Sequence, residues 1–300
     1  MKISLIALCG ILSVAAGAFE TYVEADRDAL AKYKAGKYKE AMASYQEAMK
    51  LTASKDLQIG ARNQIISCCY YSRDFVQMEK YLAEQLAAEP LPAGQGEISD
   101  FWRGLFLQRD PARTDDAVKA YLRVKNRKGY TWAYSSALYQ AGILLDRQGK
   151  HAEAIDVFDE LIQTPGISAS AKNNALIGKA DALGKSGKTG DAVKMFAGMK
   201  LENPPSWQSA IFALRYATVL CTVREYKKAL AELEKTESLQ KIPPQIQAEC
   251  RTLAAHIYFY YLKDVRNAKR LIYKANSVPG TAGKNPALTR KIDEAYAEMK

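Results

Sequence analysis

The segment ALGKSGKT, Ala182–Thr189, is the part of the chain that most resembles a ligand-binding motif. It satisfies the loose form of the nucleotide-binding loop, in which a small residue and any four residues precede Gly-Lys-Thr. Such a loop holds phosphate between a strand and a helix, because its backbone N–H groups must turn inward around the anion. Here the preceding residues 170–183 have a helical period, and no apolar strand ending in Asp follows. We therefore expect no nucleotide at this segment.

The histidines and paired carboxylates do not form a recognisable catalytic or metal site. A zinc site needs about four suitably spaced ligands, and the sequence contains two histidines, His151 and His256. Cys250 and His256 are six residues apart, which places them on different faces of a helix. The pairs Asp115-Asp116 and Asp293-Glu294 suit helix starts and solvated surface. We expect a non-enzymatic protein with no catalytic residue, no metal and no cofactor.

The run YLRVKNRKGYTWAY, residues 121–134, mixes basic and aromatic side chains as nucleic-acid-binding proteins do. Its position between two of the repeats described below favours a solvated loop. Because export is also expected, we predict no nucleic-acid partner. A docking patch for an acidic protein is the alternative interpretation of this run.

The first residues have the features of a secretory signal. Met1 and Lys2 give a positive start, residues 3–15 are apolar, and Ala16-Gly17-Ala18 fits the small-x-small cleavage site. The run is too short to span a bilayer. We expect residues 1–18 to be a cleaved signal peptide and the mature chain to be periplasmic, envelope-associated or secreted. Cys9 follows Leu8 instead of a small residue, which leaves lipidation as the weaker alternative.

Charge favours anionic partners. Loss of residues 1–18 leaves 42 Lys and Arg against 33 Asp and Glu, a formal net charge of +9. Acidic proteins and anionic envelope polymers are partners of the matching sign. No segment after residue 18 is long and apolar enough to cross a membrane.

The four remaining cysteines lie among apolar neighbours in expected helices. We therefore expect buried free thiols that pack as small hydrophobic groups. Cys68 and Cys69 are adjacent and would form a disulfide only with strain. Whether Cys221 and Cys250 are bonded stays open.

A local pattern returns every 37 to 39 residues along the chain. Each copy has a marker residue, a bulky apolar side chain four residues later and a further position seven residues later. These spacings share one face of a helix. A second helical pattern precedes each marker across a short polar turn. The markers are Ala41, Met78, Ala117, Ala154, Ala192, Ala229 and Ala268.

Small residues stand twelve positions before several markers and predict that the two helices of a pair approach closely. These small residues are Ala29, Gly142, Ala180 and Ala217. His256 occupies the same position in the seventh copy, where we expect it to pack between helices.

The pattern predicts an all-α chain, a single α-solenoid over residues 19–300. No unit can bury its apolar face alone, so neighbouring units must stack. The expected helix–turn–helix repeats cover about residues 20–55, 56–92, 93–129, 130–166, 167–204, 205–242 and 243–280, with a C-terminal capping helix at about 286–299.

This pattern resembles the tetratricopeptide-repeat (TPR) family, as an exported protein of bacterial type. The resemblance covers about residues 20–280. Its spacing exceeds the usual 34 residues, and the third unit carries an additional loop, RDPARTDD. It implies a right-handed superhelix whose concave groove, lined by the first helix of each unit, holds a peptide or another protein. The residues that carry it are Gly36, Tyr38, Ala41, Tyr45 and Ala48, then Gly142, Gly149, Ala154, Phe158 and Pro165, then Gly187, Ala192, Phe196 and Pro204.

The resemblance also implies which residues face the groove. Asn can pair with both the N–H and the C=O of a peptide backbone, and Tyr adds apolar area with a polar tip. The alternative is that several of these tyrosines only pack between helices. The expected groove residues are Asp26, Tyr33, Lys34, Asn63, Tyr70, Tyr71, Trp102, Tyr139, Arg147, Asn174 and Tyr260.

Two functions fit these features. The first is a scaffold or adaptor that binds protein or peptide segments in the cell envelope or outside the cell. The alternative is a helical-repeat protein that binds carbohydrate or an anionic envelope polymer.

Overall fold

A computed structural model describes residues 19–127, 129, 132–280 and 285–299. The predicted signal peptide and Cys9 lie outside these residues. The described chain forms two compact units that meet in sequence between Trp102 and Arg103, and each is described by itself below. The predicted single solenoid over residues 19–300 therefore stays a prediction.

Every described element of regular structure is helical, which confirms the all-α expectation. The α-helices are α1 (Tyr22–Lys34), α2 (Tyr38–Lys50), α3 (Lys55–Ser72), α4 (Phe75–Ala87), α5 (Gln95–Leu107), α6 (Thr114–Leu122), α7 (Trp132–Arg147), α8 (His151–Gln163), α9 (Ala169–Lys185), α10 (Thr189–Gly198), α11 (Ser206–Thr222), α12 (Tyr226–Glu234), α13 (Pro244–His256), α14 (Val265–Asn276) and α15 (Pro286–Ala297). Short 3₁₀ segments occur at Pro111–Arg113, Arg123–Asn126 and Lys235–Ser238, and Ile257–Tyr261 is a π-helical turn.

Consecutive helices pack as antiparallel pairs. In unit 1, α1 packs on α2, α2 on α3 and α3 on α4; in unit 2, each helix from α6 to α15 packs on the next. First helices of neighbouring pairs also touch, since α9 contacts α7 and α11, and α11 contacts α13. The first helices of unit 2 therefore form one layer. None of the described helices has the length and apolar character that a membrane span needs.

The predicted periodic positions form the core. All seven markers are fully buried on the second helices of their pairs, and so are Tyr45, Tyr121, Phe158 and Phe196, four residues after their markers. Phe158 shows why small residues recur on the first helices. A Cβ added at Gly142 or at Gly178 would lie 2.6 Å from an atom of the Phe158 ring.

In every repeat except the third, the turn between the two helices has a residue with left-handed backbone five positions before the marker. Three repeats have glycine there: Gly36, Gly149 and Gly187. Three others have Arg73, Arg224 and Lys263, with φ between 57° and 61°. The third repeat differs because the 3₁₀ turn at Pro111–Arg113 replaces this geometry, at the loop that the sequence marked as a departure.

The π turn corrects the prediction for His256. In the sixth repeat the turn closes with Glu225 N–H donating to Leu220 O, five residues back, whereas Asp264 N–H donates to Tyr258 O, six residues back. The seventh repeat therefore has one additional residue between its first helix and its marker. Counting a fixed number of residues back from Ala268 consequently gives a position one residue too late in the first helix. Ala255, fully buried, takes the small position, and His256 is only partly buried.

Candidate functional site

The segment that resembles a nucleotide-binding loop lies in a repeat turn. Ala182–Lys185 is the last turn of α9, Gly187 has φ +88°, and Thr189 begins α10. The element before the loop is thus a helix in place of the strand that phosphate binding requires. The segment performs the same structural role as Gly36 and its neighbours in the first repeat.

The thiols are unsuited to nucleophilic chemistry. Burial raises the pKa of Cys68 and of Cys69 to about 12, and the pKa of Cys221 and of Cys250 to about 11. The thiolate is the reactive form, so these groups stay protonated at neutral pH. All four are free in the described chain, and Cys221 is the one that is only partly buried.

The carboxylates singled out in the sequence are engaged in surface pairs. Asp115 accepts from Gln148 and Lys150, which hold the pKa of its carboxyl below the usual value. Asp293 accepts from Lys269 and from the Tyr273 hydroxyl, and its pKa is lowered as well. No group of three or more His, Cys, Asp or Glu side chains converges in the part of the chain that the structure describes.

A groove of about 690 Å³ runs along the first helices at the C-terminal end of unit 2. Helices α11, α13 and α15 form its walls, with the end of α14. Its lining contains both apolar and hydrogen-bonding side chains. The lining includes Leu214, Arg215, Thr218, Gln245, Glu249, Thr252, Leu253, His256, Tyr260, Asn276 and Leu288.

His256 lies in this groove beside the aromatic ring of Tyr260. Its imidazole lies 4.6 Å from the Tyr260 ring, centroid to centroid. Burial lowers the pKa of His256, so the neutral ring offers one donor and one acceptor at neutral pH. Lys291 of α15 donates to the Tyr260 hydroxyl at 3.4 Å. Around His256 the groove therefore offers neutral hydrogen-bonding groups beside aromatic contact area.

Charged side chains continue along the first-helix layer from α11 toward α7. Arg215 lies 3.8 Å from Asp181, and Lys185 bonds both Asp181 and Asp146. Burial acts to lower the pKa of Lys185, but its hydrogen bonds to the two carboxylates outweigh this, and the pKa is raised. Asp146 also accepts from His151 Nδ1 at 2.8 Å. This ionic chain ties three first helices together.

In unit 1 the structure brings four of the predicted groove residues together. The Tyr70 ring lies 5.4 Å from Tyr71 and 5.3 Å from Trp102, and Tyr33 lies 6.1 Å from Tyr71. The Tyr33 hydroxyl also bonds Ser67 Oγ at 2.8 Å. Trp102 is only 5% exposed, so it supports the cluster from beneath, whereas half of Tyr71 is open to solvent.

Asn63 has a structural partner in this conformation. It is 2% exposed, and its Nδ2 donates to the carbonyl and to Oε1 of Gln95. Lys34 is exposed, and Asp26 is partly buried, with burial raising the pKa of its carboxyl. These three residues do not join the ring cluster in any contact that the structure shows.

The remaining predicted residues are spread over unit 2. Tyr139 is partly buried against Phe158, at 6.1 Å between ring centroids, and Arg147 is exposed. Asn174 Oδ1 accepts from Gln208 Nε2 at 2.6 Å. Tyr260 is the one that lines the groove. The sequence analysis missed Arg215, Thr252 and His256. The additional residue in the π turn shifts the seventh repeat by one position relative to its marker, and only with this shift do Thr252 and His256 fall at groove-facing positions.

Comparisons with known proteins agree with this architecture. The family described as tetratricopeptide repeat matches residues 136–165, which cover most of α7 and all of α8. A search of curated proteins finds no match to the sequence.

A solved structure shares the fold. A crystal structure of a tetratricopeptide repeat protein from Parabacteroides merdae is similar over 90% of this chain and 98% of that chain, with a TM-score of 0.65 and 17% identity. The TPR2AB domain of yeast Sti1, in a complex with pHSP90, covers 85% of this chain and 98% of its own at a TM-score of 0.33 and 15% identity. One helix pair of this chain thus matches the tetratricopeptide-repeat model, and most of the chain shares its fold with a solved tetratricopeptide repeat protein.

Proposed function

We propose that this protein is a non-enzymatic interaction scaffold that binds a peptide segment of a partner protein in the groove between α11, α13 and α15. The observation that carries this proposal is the groove itself, about 690 Å³ and open along the first helices. Its volume lies within the range of ligand-binding clefts.

The lining suits an extended peptide. Leu214, Leu253 and Leu288 supply apolar contacts for side chains. Gln245 and Asn276 each carry both a donor and an acceptor, which pair with the N–H and C=O groups of a backbone. Because the charged lining residues include Arg215 and Glu249, the groove accepts side chains of either sign. The preference for an acidic partner rests on the net charge of the chain.

The location we propose is the cell envelope or the secreted space. The support is the sequence of residues 1–18, with Ala16 and Ala18 at the two small positions of a cleavage site. N-terminal sequencing of the protein from its native source should begin at Phe19. The Ala18→Glu variant should retain its first residues, because signal peptidase needs a small side chain there. An intact N-terminus on the unaltered protein would contradict export by this signal.

The groove is tested by site-specific photocrosslinking. A photoreactive phenylalanine analogue at Thr252 lies in the groove, and the matched control at Lys194 lies exposed on the second helix α10. After irradiation in the native envelope or secreted fraction, Thr252 should give adducts that mass spectrometry identifies as one recurring peptide sequence. Lys194 should not give that adduct.

Two results would oppose the proposal. Saccharide adducts at Thr252 would support the alternative, a carbohydrate-binding or anionic-polymer-binding repeat protein. The same peptide adducts from both positions would show that the groove is not the site.

A further inference from the structure

Stacked tyrosines occur at the same repeat position in both units. In unit 1, Tyr38 at the start of α2 stacks on Tyr71 near the end of α3, with 5.2 Å between centroids and 23° between planes. In unit 2, Tyr226 at the start of α12 stacks on Tyr261 at the end of the π turn, at 4.0 Å and 12°. In each pair the rings come three residues before one marker and seven residues before the next. The stack therefore places the turns of two adjacent repeats side by side.

Basic residues flank both stacks. Arg73 follows Tyr71 by two residues, Lys263 follows Tyr261 by two, and Arg224 precedes Tyr226 by two. All three side chains are exposed, and none forms an ion pair with another described residue. Within the described chain, no ion pair therefore neutralises these three cations.

The backbone at these cations is unfavourable for their residue type. Arg73, Arg224 and Lys263 have φ of 61°, 61° and 57°, a region that glycine enters readily and other L-residues enter at a cost. Gly36, Gly149 and Gly187 occupy the same place in three other repeats. A basic side chain kept where glycine would be more stable points to a use for the side chain.

The rest of each surface is apolar or already bonded. Val76 is 82% exposed beside Tyr71's turn, and Val223 is 39% exposed beside Arg224. The acids are occupied: Asp74 caps α4 by accepting from Gln77 N–H, and Asp264 caps α14 by accepting from Asn267 N–H. Glu225 pairs with Lys228 at 2.6 Å. Half-exposed tyrosines, valines and free cations remain.

We propose that two turn surfaces bind an anionic lipid surface. The first comprises Tyr38, Tyr71, Arg73 and Val76; the second comprises Val223, Arg224, Tyr226, Tyr261 and Lys263. Tyrosine suits the headgroup level of a bilayer, with its ring against apolar chains and its hydroxyl in water. Lys and Arg are attracted by anionic headgroups. Charge complementarity and the exposed apolar tips together select such a surface.

Lipid binding and peptide binding use different residues. The groove residues lie on α11, α13 and α15, with Tyr260 in the π turn and Asn276 at the end of α14, and none of them belongs to the turn surfaces. The proposal goes beyond peptide capture and shares with it only the expected envelope location. Failure of one therefore leaves the other standing.

The test is co-sedimentation of the chain from Phe19 onward with phosphatidylcholine vesicles that do or do not contain phosphatidylglycerol. Residues 1–18 are left out because that apolar segment would itself bind lipid. The protein should sediment with the anionic vesicles and not with the neutral ones, and salt should weaken the binding.

Arg224→Gly with Lys263→Gly should lower the partition coefficient about 25-fold, about fivefold for each cation. The same double variant should have an equal or higher thermal midpoint, because glycine relieves the left-handed backbone. The matched control, Lys172→Ala with Lys194→Ala, removes the same net charge from exposed positions on α9 and α10. It should change binding by no more than about twofold.

Three results would overturn the proposal. One is no sedimentation with phosphatidylglycerol vesicles. Another is an equal loss in the control, which would make the attraction a matter of net charge alone. The third is binding of poly-glutamate in place of vesicles, which would assign these surfaces to acidic polypeptides.

Discussion

Gly178 tests the packing between the fourth and fifth repeats. It lies on α9, and a Cβ added there would meet Cζ, Cε1 and Cε2 of Phe158 at 2.6, 2.8 and 3.0 Å. Ordinary carbon contacts begin near 3.5 Å, so the Gly178→Ala variant must displace the ring by most of an ångström. Phe158 is fully buried and also lies against Gly142, which leaves it little room to move.

The magnitude follows from two opposed effects. Alanine improves helix propensity by about 1 kcal/mol over glycine. Overpacking a well-filled core costs about 1–3 kcal/mol, and the sandwiched ring places this site at the upper end. The Gly178→Ala variant should therefore lose about 1–2 kcal/mol of unfolding free energy.

The assay is urea unfolding followed by circular dichroism, with the midpoint and the slope both fitted. Gly198→Ala is the matched control, because Gly198 also ends up in a helix, α10, and a Cβ there meets nothing within 4 Å. It should be stabilised by up to about 1 kcal/mol. Phe158→Leu, which removes the contacted ring atoms, should reduce the penalty of Gly178→Ala in a double-mutant cycle. A Gly178→Ala protein as stable as Gly198→Ala would refute the packing argument.

Three further predictions concern buried polar and titrating groups. Asn173 donates to Glu202 O and Gln208 Oε1 and accepts from Glu202 N–H, so Asn173→Ala should cost about 2–3 kcal/mol in urea unfolding, and Asn174→Ala, with its single bond to Gln208, about 1. Iodoacetamide at pH 8 should modify the native thiols slowly and Cys221 first, whereas rapid modification of native Cys68 would contradict its burial and its raised pKa. Burial lowers the pKa of His256 below the ordinary histidine value of about 6.5, so near that pH the unfolded chain binds more protons at this residue than the folded chain does. Stability should fall as the pH drops through 6.5, and His256→Gln should show a smaller fall; an unchanged pH profile would remove His256 as the cause.

The sequence was sufficient for the helix pairs because the same physical requirement repeats. Each unit must bury a residue four positions after its marker against its neighbours, so Tyr45, Phe158 and Phe196 are all fully buried where the period placed them. The turns are equally local. Glycine at positions 36, 149 and 187 is typical of a residue with left-handed backbone. The structure shows the same conformation at Arg73, Arg224 and Lys263, where the residue type does not indicate it.

The site was harder to predict because its residues depend on contacts between repeats. Asn63 has the residue type of a peptide-binding side chain, but Gln95 of the next repeat occupies its amide. His256 was expected between helices, and the one-residue insertion of the π turn moves it to the groove. The hydrophobic pattern of the sequence does not reveal such an insertion, because the residues on either side of it keep helical spacing.

The last helix, α15, is attached to the preceding helices by few buried side chains. Within α15 only Ile292 is buried among the described side chains, and α14 is the neighbour it packs against. In a chain where each element leans on the next, opening starts at such a weakly held end. A peptide bound in the groove between α13 and α15 would contact both helices and so connect α15 to the rest of unit 2. Binding of a peptide in this groove would then slow the local unfolding of α15. Limited proteolysis would detect this binding, because α15 would be cleaved more slowly.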